Sequence, residues 1–438
     1  MRSTIFIFTS YLLLLSPAFA GELSDKAAGY DDWTPAWHRL GHGAIAETFF
    51  IDETLSEVDR FGGRGDSTIW TGTYLASQAF RFMVTGNPEA YGEILSTVDT
   101  LHHHLQVTGR CGFIARYRGP DVYPFNAGCT DDEHCYAGEG QYEGDIFLTN
   151  TSRDQYTGWF FGMAMAFDAV DDFAVKAQIA ADVAEVIDAL MRQRWRIVDV
   201  DGMPTTAGPN VLATMQATWS LIAAHVTGEE RFLDAYDRLA DPSMQTQHRL
   251  SSIAFMNKYA QHYGNNLGHT NAFTLMTLSR DMGLSADYDF WRSLFLDQTH
   301  RWTHMIHNAY FELVHWSVLD SPDEAMRDSI IDDLTRFRDA PNVHYAVFPP
   351  EGPLDPFSVW MDALQERFPW IAEIIGNVDP QALNPYPVDE QCSTDFLWQR
   401  NMWSISCGGE NLRHVDPGAD YLIAYWMARY YGVIDEND

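Results

Sequence analysis

Two short stretches decide how this chain reads: GDSTIWTGTY at 65–74 and TSRDQYTGW at 151–159. Each offers capping residues (Asp66 or Ser67; Thr151 or Ser152), then Thr-Gly and aromatics within the first turns, then a long apolar run. An acid or hydroxyl just before such a run marks a helix N-terminus, because its oxygen accepts bonds from the orphan N–H groups. Two such polar-aromatic helix starts in one chain point to helix N-termini gathered at a common mouth.

Working outward, the same theme recurs. FMVTG at 82–86 precedes NPEAY, AHVTG at 224–228 precedes EERF, and SRDMG at 279–283 precedes a helix through Asp287 and Phe290. WSVLD at 316–320 precedes SPDE, and ARYYG at 428–432 nearly closes the chain. Glycine just past a last turn is a left-handed cap, and proline or an acid after it opens the next helix. The first helix of each pair is predicted over 69–84, 155–170, 211–226, 271–281, 310–319 and 421–431. Partners are predicted near 88–106, 173–194, 229–239, 288–304 and 323–338, with an opening helix around 35–55 as the sixth. The first set is apolar nearly all round, as in FFGMAMAF at 160–167, which an inner helix packed on both sides needs. The partners carry charges at helical spacing, as in Lys176, Asp182, Glu185 and Asp188, and read as solvent-facing. Repeated helical hairpins with buried inner helices predict an all-α fold, an (α/α)6 toroid. An open helical solenoid would have repeats of more uniform length. Long insertions at 110–150 and 340–407 interrupt the pattern and carry all five cysteines. Loops of that length are usually functional or form lids. No interdomain linker is visible, so 21–438 reads as a single catalytic-type domain.

Residues 1–20 read as a secretory signal peptide: Arg2, an apolar run from Ile5 to Leu15, and Ala18-Phe19-Ala20 as the cleavage site. Gly21 would then begin a soluble, exported chain, secreted or periplasmic. The apolar run is too short to span a membrane. The formal net charge of −33 excludes nucleic acid and an anionic membrane as natural partners, since both demand a basic footprint. Export makes cysteine pairing expected. The short loops favour Cys129–Cys135 and Cys392–Cys407, leaving Cys111 as the odd thiol. No C-x-x-C zinc pattern and no cofactor motif occur.

Inner helices of a hairpin toroid run in one direction, so their starts converge. Those starts carry Asp66, Trp70 and Thr71; Arg153, Asp154, Gln155, Tyr156 and Trp159; Asn210; Asn265, Asn266, His269 and Asn271; His307, Asn308, Tyr310 and Glu312; Asp416, Asp420 and Tyr421. Acids, amides and aromatics in one place suit a carbohydrate, whose faces stack on rings while carboxylates and amides satisfy its hydroxyls. Trp70, Arg153, Gln155, Tyr156, Trp159, Asn266, His269, Asn271, Tyr310, Trp398 and Tyr421 are the expected substrate contacts.

The repeat, the leader and the polar-aromatic mouth together resemble the six-hairpin glycosidase superfamily, over nearly the whole chain after the leader. That superfamily includes bacterial glycoside hydrolases and toroidal polysaccharide lyases. Trp70-Thr71-Gly72 and Asp154-Gln155-Tyr156 are similar to the unsaturated-uronyl hydrolase branch, whose acids sit near helix starts.

Asp66 and Asp154 are the candidate catalytic carboxyls of a glycoside hydrolase, which needs one protonated acid and one carboxylate. The alternative is that both merely cap helices or favour the helix dipole. Asp395, beside Arg400, is the reserve acid or a loop salt bridge. In a lyase acting on a uronate-containing glycan, the amides of Asn265–Asn271 would neutralise the carboxylate and His269 or Tyr310 would take the proton. A non-catalytic glycan-binding protein on the same scaffold is the reading from another class. His300, His304 and His307 have helical ligand spacing but read as polar packing. His102-His103-His104 reads as a solvated face, and the acidic loop 131–145 as solvated, lacking calcium-loop spacing.

Overall fold

The computed structural model describes residues 21–39, 41–129, 132–251, 262–321, 324–345, 352–375, 377–391, 396–403 and 409–438. The predicted leader, Cys392, Cys407 and Asp395 lie outside them. Twelve helices build the toroid. Its inner helices are α2 (Ser67–Thr85), α4 (Arg153–Ala169), α6 (Ala213–Thr227), α8 (His262–Asp281), α10 (Ala309–Trp316) and α12 (Ala419–Tyr430). The outer partners are α1 (Glu22–Trp37), α3 (Pro88–Gln106), α5 (Phe173–Arg192), α7 (Glu230–Ala240), α9 (Ser285–Leu294) and α11 (Glu324–Arg336).

Apolar residues on every side of a helix demand neighbours on every side. In α2 every residue from Ser67 to Phe80 is buried, and in α4 every residue from Gln155 to Ala166. Each inner helix therefore packs on two others: α2 on α4, α4 on α6, α6 on α8, α8 on α10, α10 on α12, and α12 back on α2. The ring closes into an (α/α)6 toroid. Residues at equal depth meet across it: Phe160 stacks on Trp219 at 5.0 Å, and Phe80 meets Tyr430 at 5.1 Å. The inner helices thus run parallel. Outer helices bury one stripe only, as α3 does with Ala90, Ile94, Val98, Leu101 and Leu105. Gly86 ends α2 at φ 64°, donating its N–H to Phe82 O, and Asn87 and Pro88 then open α3, the Asn87 side chain accepting from Glu89 N.

The closest approach in the ring is backbone on backbone. A Cβ on Gly72 would fall 2.0 Å from Gly158 O, and one on Gly158 would fall 2.5 Å from Ile69 Cα. Only glycine permits this spacing between α2 and α4.

Two small antiparallel sheets lie among the connections. The first joins β1 (Glu47–Phe50), β2 (Val58–Gly62), β6 (Asn342–His344) and β7 (Asn411–Asp416) in the order β2-β1-β7-β6. The second joins β3 (Tyr117–Pro120), β4 (Cys135–Ala137) and β5 (Asp145–Leu148) in the order β3-β5-β4. Cys129 and Cys135 form the expected disulfide beside it, and Cys111 is a free, exposed thiol.

Five local expectations are corrected. The opening helix is Glu22–Trp37 rather than 35–55: Pro35 lies in its last turn, and the β-branched and aromatic run Thr48-Phe49-Phe50 pairs as a strand. Asn265–Asn271 lie inside α8, which has begun by His262, rather than before it. The expected helix over 288–304 breaks into α9, a π-helical turn at Phe295–His300 and a turn at Arg301–Thr303. His300, His304 and His307 therefore do not share a continuous face; His300 stacks on His315 at 3.6 Å and His307 meets Asp333 at 3.5 Å. His104 is not solvated: it is 1% exposed, and burial pushes its pKa down to about 3, a neutral ring against Thr68 Oγ1 at 2.7 Å. The acidic loop supplies Asp145 to Arg118 and His42, each at 2.7 Å, so this carboxylate is spent on ion pairs.

Gly158→Ala is expected to destabilise the protein by at least about 3 kcal/mol or prevent folding, since two backbones must separate. Gly92→Ala, inside α3 with open space around it, is expected to add about 0.5–1 kcal/mol. Denaturant midpoints of the two variants check this.

Candidate functional site

Because α2 and α4 lie parallel and touching, Gln155 reaches across between their first turns. Its Oε1 accepts the Ile69 N–H at 3.0 Å, and its Nε2 donates to Asp66 Oδ1 at 3.0 Å. Asp66 itself makes no side-chain capping bond and is 40% exposed at its side chain.

The insertion at 110–150 brings a cation to this carboxylate. Thr68 N–H donates to Arg116 O at 3.0 Å, and Thr68 Oγ1 lies 2.8 Å from Ala115 O. Tyr156 Oη accepts the Ile114 N–H at 3.3 Å. So held, Arg116 donates through Nε to Asn150 O at 2.9 Å, through Nη1 to Gly65 O at 2.5 Å, and through Nη2 to Ser152 Oγ at 2.8 Å. Its Nη1 is 3.7 Å from Asp66 Oδ1. The Ser152 hydroxyl donates to Asp154 Oδ1, which also accepts the Gln155 N–H at 3.1 Å. Asp66 and Asp154 therefore end one polar chain that runs through Arg116 and Ser152.

Beside that chain lies a cavity of about 510 Å³ between β2 and β5. Arg60, Arg64 and Arg116 line it, with Gly65, His134 and Asn150. Arg64 donates only to backbone, at Phe125 O (3.1 Å) and Ala127 O, and sits over the Tyr117 ring; burial lowers its pKa. Arg60 pairs with Asp59 at 2.8 Å and lies over Phe49. The guanidiniums of Arg64 and Arg116 spend their bonds mainly on neutral carbonyls, and three arginines against one lining acid, Asp132, leave the lining net positive.

The other expected contacts sit deeper. Trp70 and Trp159 are fully buried; Trp159 Nε1–H donates to Leu101 O at 3.2 Å. Tyr156 stacks on Trp219, and its hydroxyl holds the insertion. Asn266 is buried, and Asn271 Nδ2 donates to Leu267 O at 2.8 Å and Thr157 Oγ1 at 3.3 Å. The His269 ring lies on Phe311 at 3.7 Å, and burial pushes its pKa down to about 3. Tyr310 shares a 2.9 Å bond with Thr270, and burial raises its pKa. Trp398 Nε1–H donates to Asp420 O at 2.6 Å, and Tyr421 Oη donates to Leu23 O at 3.1 Å, facing α1. Arg153 reaches Asn210 O at 3.2 Å, tying α4 to the start of α6, and does not pair with Asp154. The sequence reading missed Arg60, Arg64, Arg116 and the bridging role of Ser152. Their signal was there: an arginine flanking each side of a Gly-Gly turn before Asp66, and another inside the first long insertion.

Gln155→Leu is expected to cost about 1–3 kcal/mol, because it leaves the buried Ile69 N–H without its acceptor. Chemical denaturation against the native chain measures it.

The sequence matches no family model and no curated protein. Among solved structures, the fold is similar to the cellulase Cel9M of C. cellulolyticum at 10% identity and a TM-score of 0.46, over 94% of this chain and 97% of that one.

Proposed function

We propose that this protein is an exported carbohydrate-active enzyme, a glycoside hydrolase that cleaves an oligo- or polysaccharide with two carboxyl groups. The observation that carries the reading is the polar chain that links Asp66 and Asp154 at the starts of adjacent parallel helices through Arg116, which itself lines the neighbouring cavity. Glycosidic cleavage asks for two carboxyls facing one space: an acid at the leaving oxygen and a carboxylate that activates water or attacks the sugar. The Asp66 carboxylate accepts from Gln155 and lies 3.7 Å from the Arg116 guanidinium, a setting that favours its ionised form. Trp70, Tyr156, Trp159, Asn266, His269, Asn271, Tyr310, Trp398 and Tyr421 are proposed to shape the mouth from behind, with Arg153 and Gln155 nearer the sugar.

A uronate-containing glycan, cleaved by hydrolysis or by elimination, is the second reading. Three arginines around the cavity favour it, because guanidinium matches a carboxylate with paired donors. For the eliminative route His269 or Tyr310 is the expected proton acceptor; both rings are buried, against Phe311 and Thr270, which favours the hydrolytic route.

Asp154→Asn is expected to abolish nearly all turnover with the melting transition almost unchanged, since the amide oxygen still accepts from Ser152 and Gln155 N–H. Asp66→Asn is expected to do the same, and the double variant little more, as for groups acting as a unit. Turnover of the purified chain on neutral and uronic oligosaccharides reads this out. Normal activity in both variants would sink the assignment and turn attention to Asp395 and Glu312. Arg64→Gln is expected to reduce kcat/KM on uronic substrates by about tenfold or more, the loss of one charge-assisted contact, while sparing neutral ones.

A further inference from the structure

Strand pairing brings a second set of polar groups together on the other side of Gly62 and Gly63. Thr48 pairs with Val415 and Phe49 with His414, so Glu47 falls across from Asp416. Side chains two apart on a strand share a face, which puts Glu47, Phe49, His414 and Asp416 on one side of the sheet. The β6 strand adds His344, displaced toward the same residues by the irregular register after Val343.

We infer that His344, His414, Asp416 and Glu47 form a binding site for a zinc-class divalent ion. One ligand atom from each of His344, His414 and Asp416 lies within 4.8 Å of the others, the one such grouping among the described residues. His344 Nε2 is 2.7 Å from Asp416 Oδ2, and His414 Nε2 is 3.9 Å from Asp416 Oδ1. His414 Nε2 also lies 2.9 Å from Glu47 Oε2, so the fourth donor stands at the same point. Tetrahedral donors held roughly 2.0–2.1 Å from a central ion stand about 3.3 Å apart, and the four groups straddle that spacing. The two carboxylates are 1% and 11% exposed at their side chains, so their charges need a cation close by. Arg338 also feels the charge of Asp416. Two imidazoles and two carboxylates suit zinc; calcium and magnesium prefer six or more oxygens. Phe49 stacks on His414 at 4.0 Å and the His344 and His414 rings stack at 3.7 Å, which fixes both donors in place. Bound there, the ion would pin three strands and the segments leading into α2 and α12.

The full chain, stripped with chelator and dialysed, is titrated with zinc chloride and followed by calorimetry, elemental analysis after gel filtration, and melting. One equivalent of zinc and a raised melting temperature are expected. His344→Ala and His414→Ala are expected to lose both effects, and Glu47→Gln to weaken binding by about tenfold or more. Cys111→Ser, which removes the exposed thiol, is expected to bind as the parent does. His344→Gln is the alternative should His344→Ala fail to fold. Absence of stoichiometric zinc, equal binding by the histidine variants, or displacement by excess calcium would each overturn the inference.

Discussion

The contact of Gly72 with Gly158 and Gly162 is the constraint from which the rest of this molecule takes its geometry. Two helices ordinarily stand 8–10 Å apart, held off by their side chains. Here the α2 and α4 backbones touch, with Gly162 also against the Gly72 backbone. Fixed so closely and in parallel, the two helices present their first turns side by side. A single amide, Gln155, can then serve Ile69 N–H on one and Asp66 ahead of it. Separation by even one methyl group would break that bridge.

Burial of polar groups locks the outer parts to this contact. Thr68 meets His104 of α3 and the Ala115–Arg116 backbone of the insertion, so one hydroxyl in the first turn of α2 joins three segments. At the other end of the ring, Asp31 of α1 accepts from Gln78 of α2 at 2.8 Å and Trp426 of α12 at 3.2 Å, with Arg81 at 3.3 Å. Burial pushes the Asp31 carboxyl up to about 6, and its donors and the guanidinium work against that push. These are polar knots in an apolar ring, and each is satisfied by residues from different hairpins. They specify which helix sits next to which, where apolar packing alone would tolerate exchange.

The hairpins were legible because local chemistry dictates them. Thr85-Gly86-Asn87-Pro88 ends one helix and starts the next whatever surrounds it, and the all-round apolarity of 160–167 declares an inner position. Asp66 and Asp154 were legible for the same reason, as polar residues at helix starts. What was not legible depends on pairing across long distances. His414 looks unremarkable, and Asp416 reads only as an acid near a helix start, until β7 lies between β1 and β6, more than 60 residues apart from either in sequence. Arg116 could be assigned no partner until the insertion folded back over Thr68. The opening helix was misplaced because Leu40–Leu55 contains apolar residues that suit either period, and strand pairing with Val58–Gly62 decides the matter. Trp70, Trp159 and Tyr421 illustrate the converse limit: an aromatic near a helix start can face the mouth or the core, and sequence spacing gives no direction for its ring.

The selectivity proposed for the site rests on charge arrangement. The chain has 61 acidic and 28 basic residues, so a random surface cavity would be lined mainly by carboxylates. Instead Arg60, Arg64 and Arg116 meet at one opening with a single lining acid, Asp132, and two of the three are held largely by carbonyl oxygens. A cavity with low-dielectric walls concentrates the field of such groups, while the acidic exterior repels anions elsewhere. An anionic ligand would therefore be attracted to this place. The same field acts on Asp66, 3.7 Å from Arg116, and couples recognition to the carboxyl pair. A sugar carboxylate bound to the arginines would compete with Asp66 for Arg116, so occupancy of the cavity would change the charge environment of the nearest acid at the moment the substrate arrives.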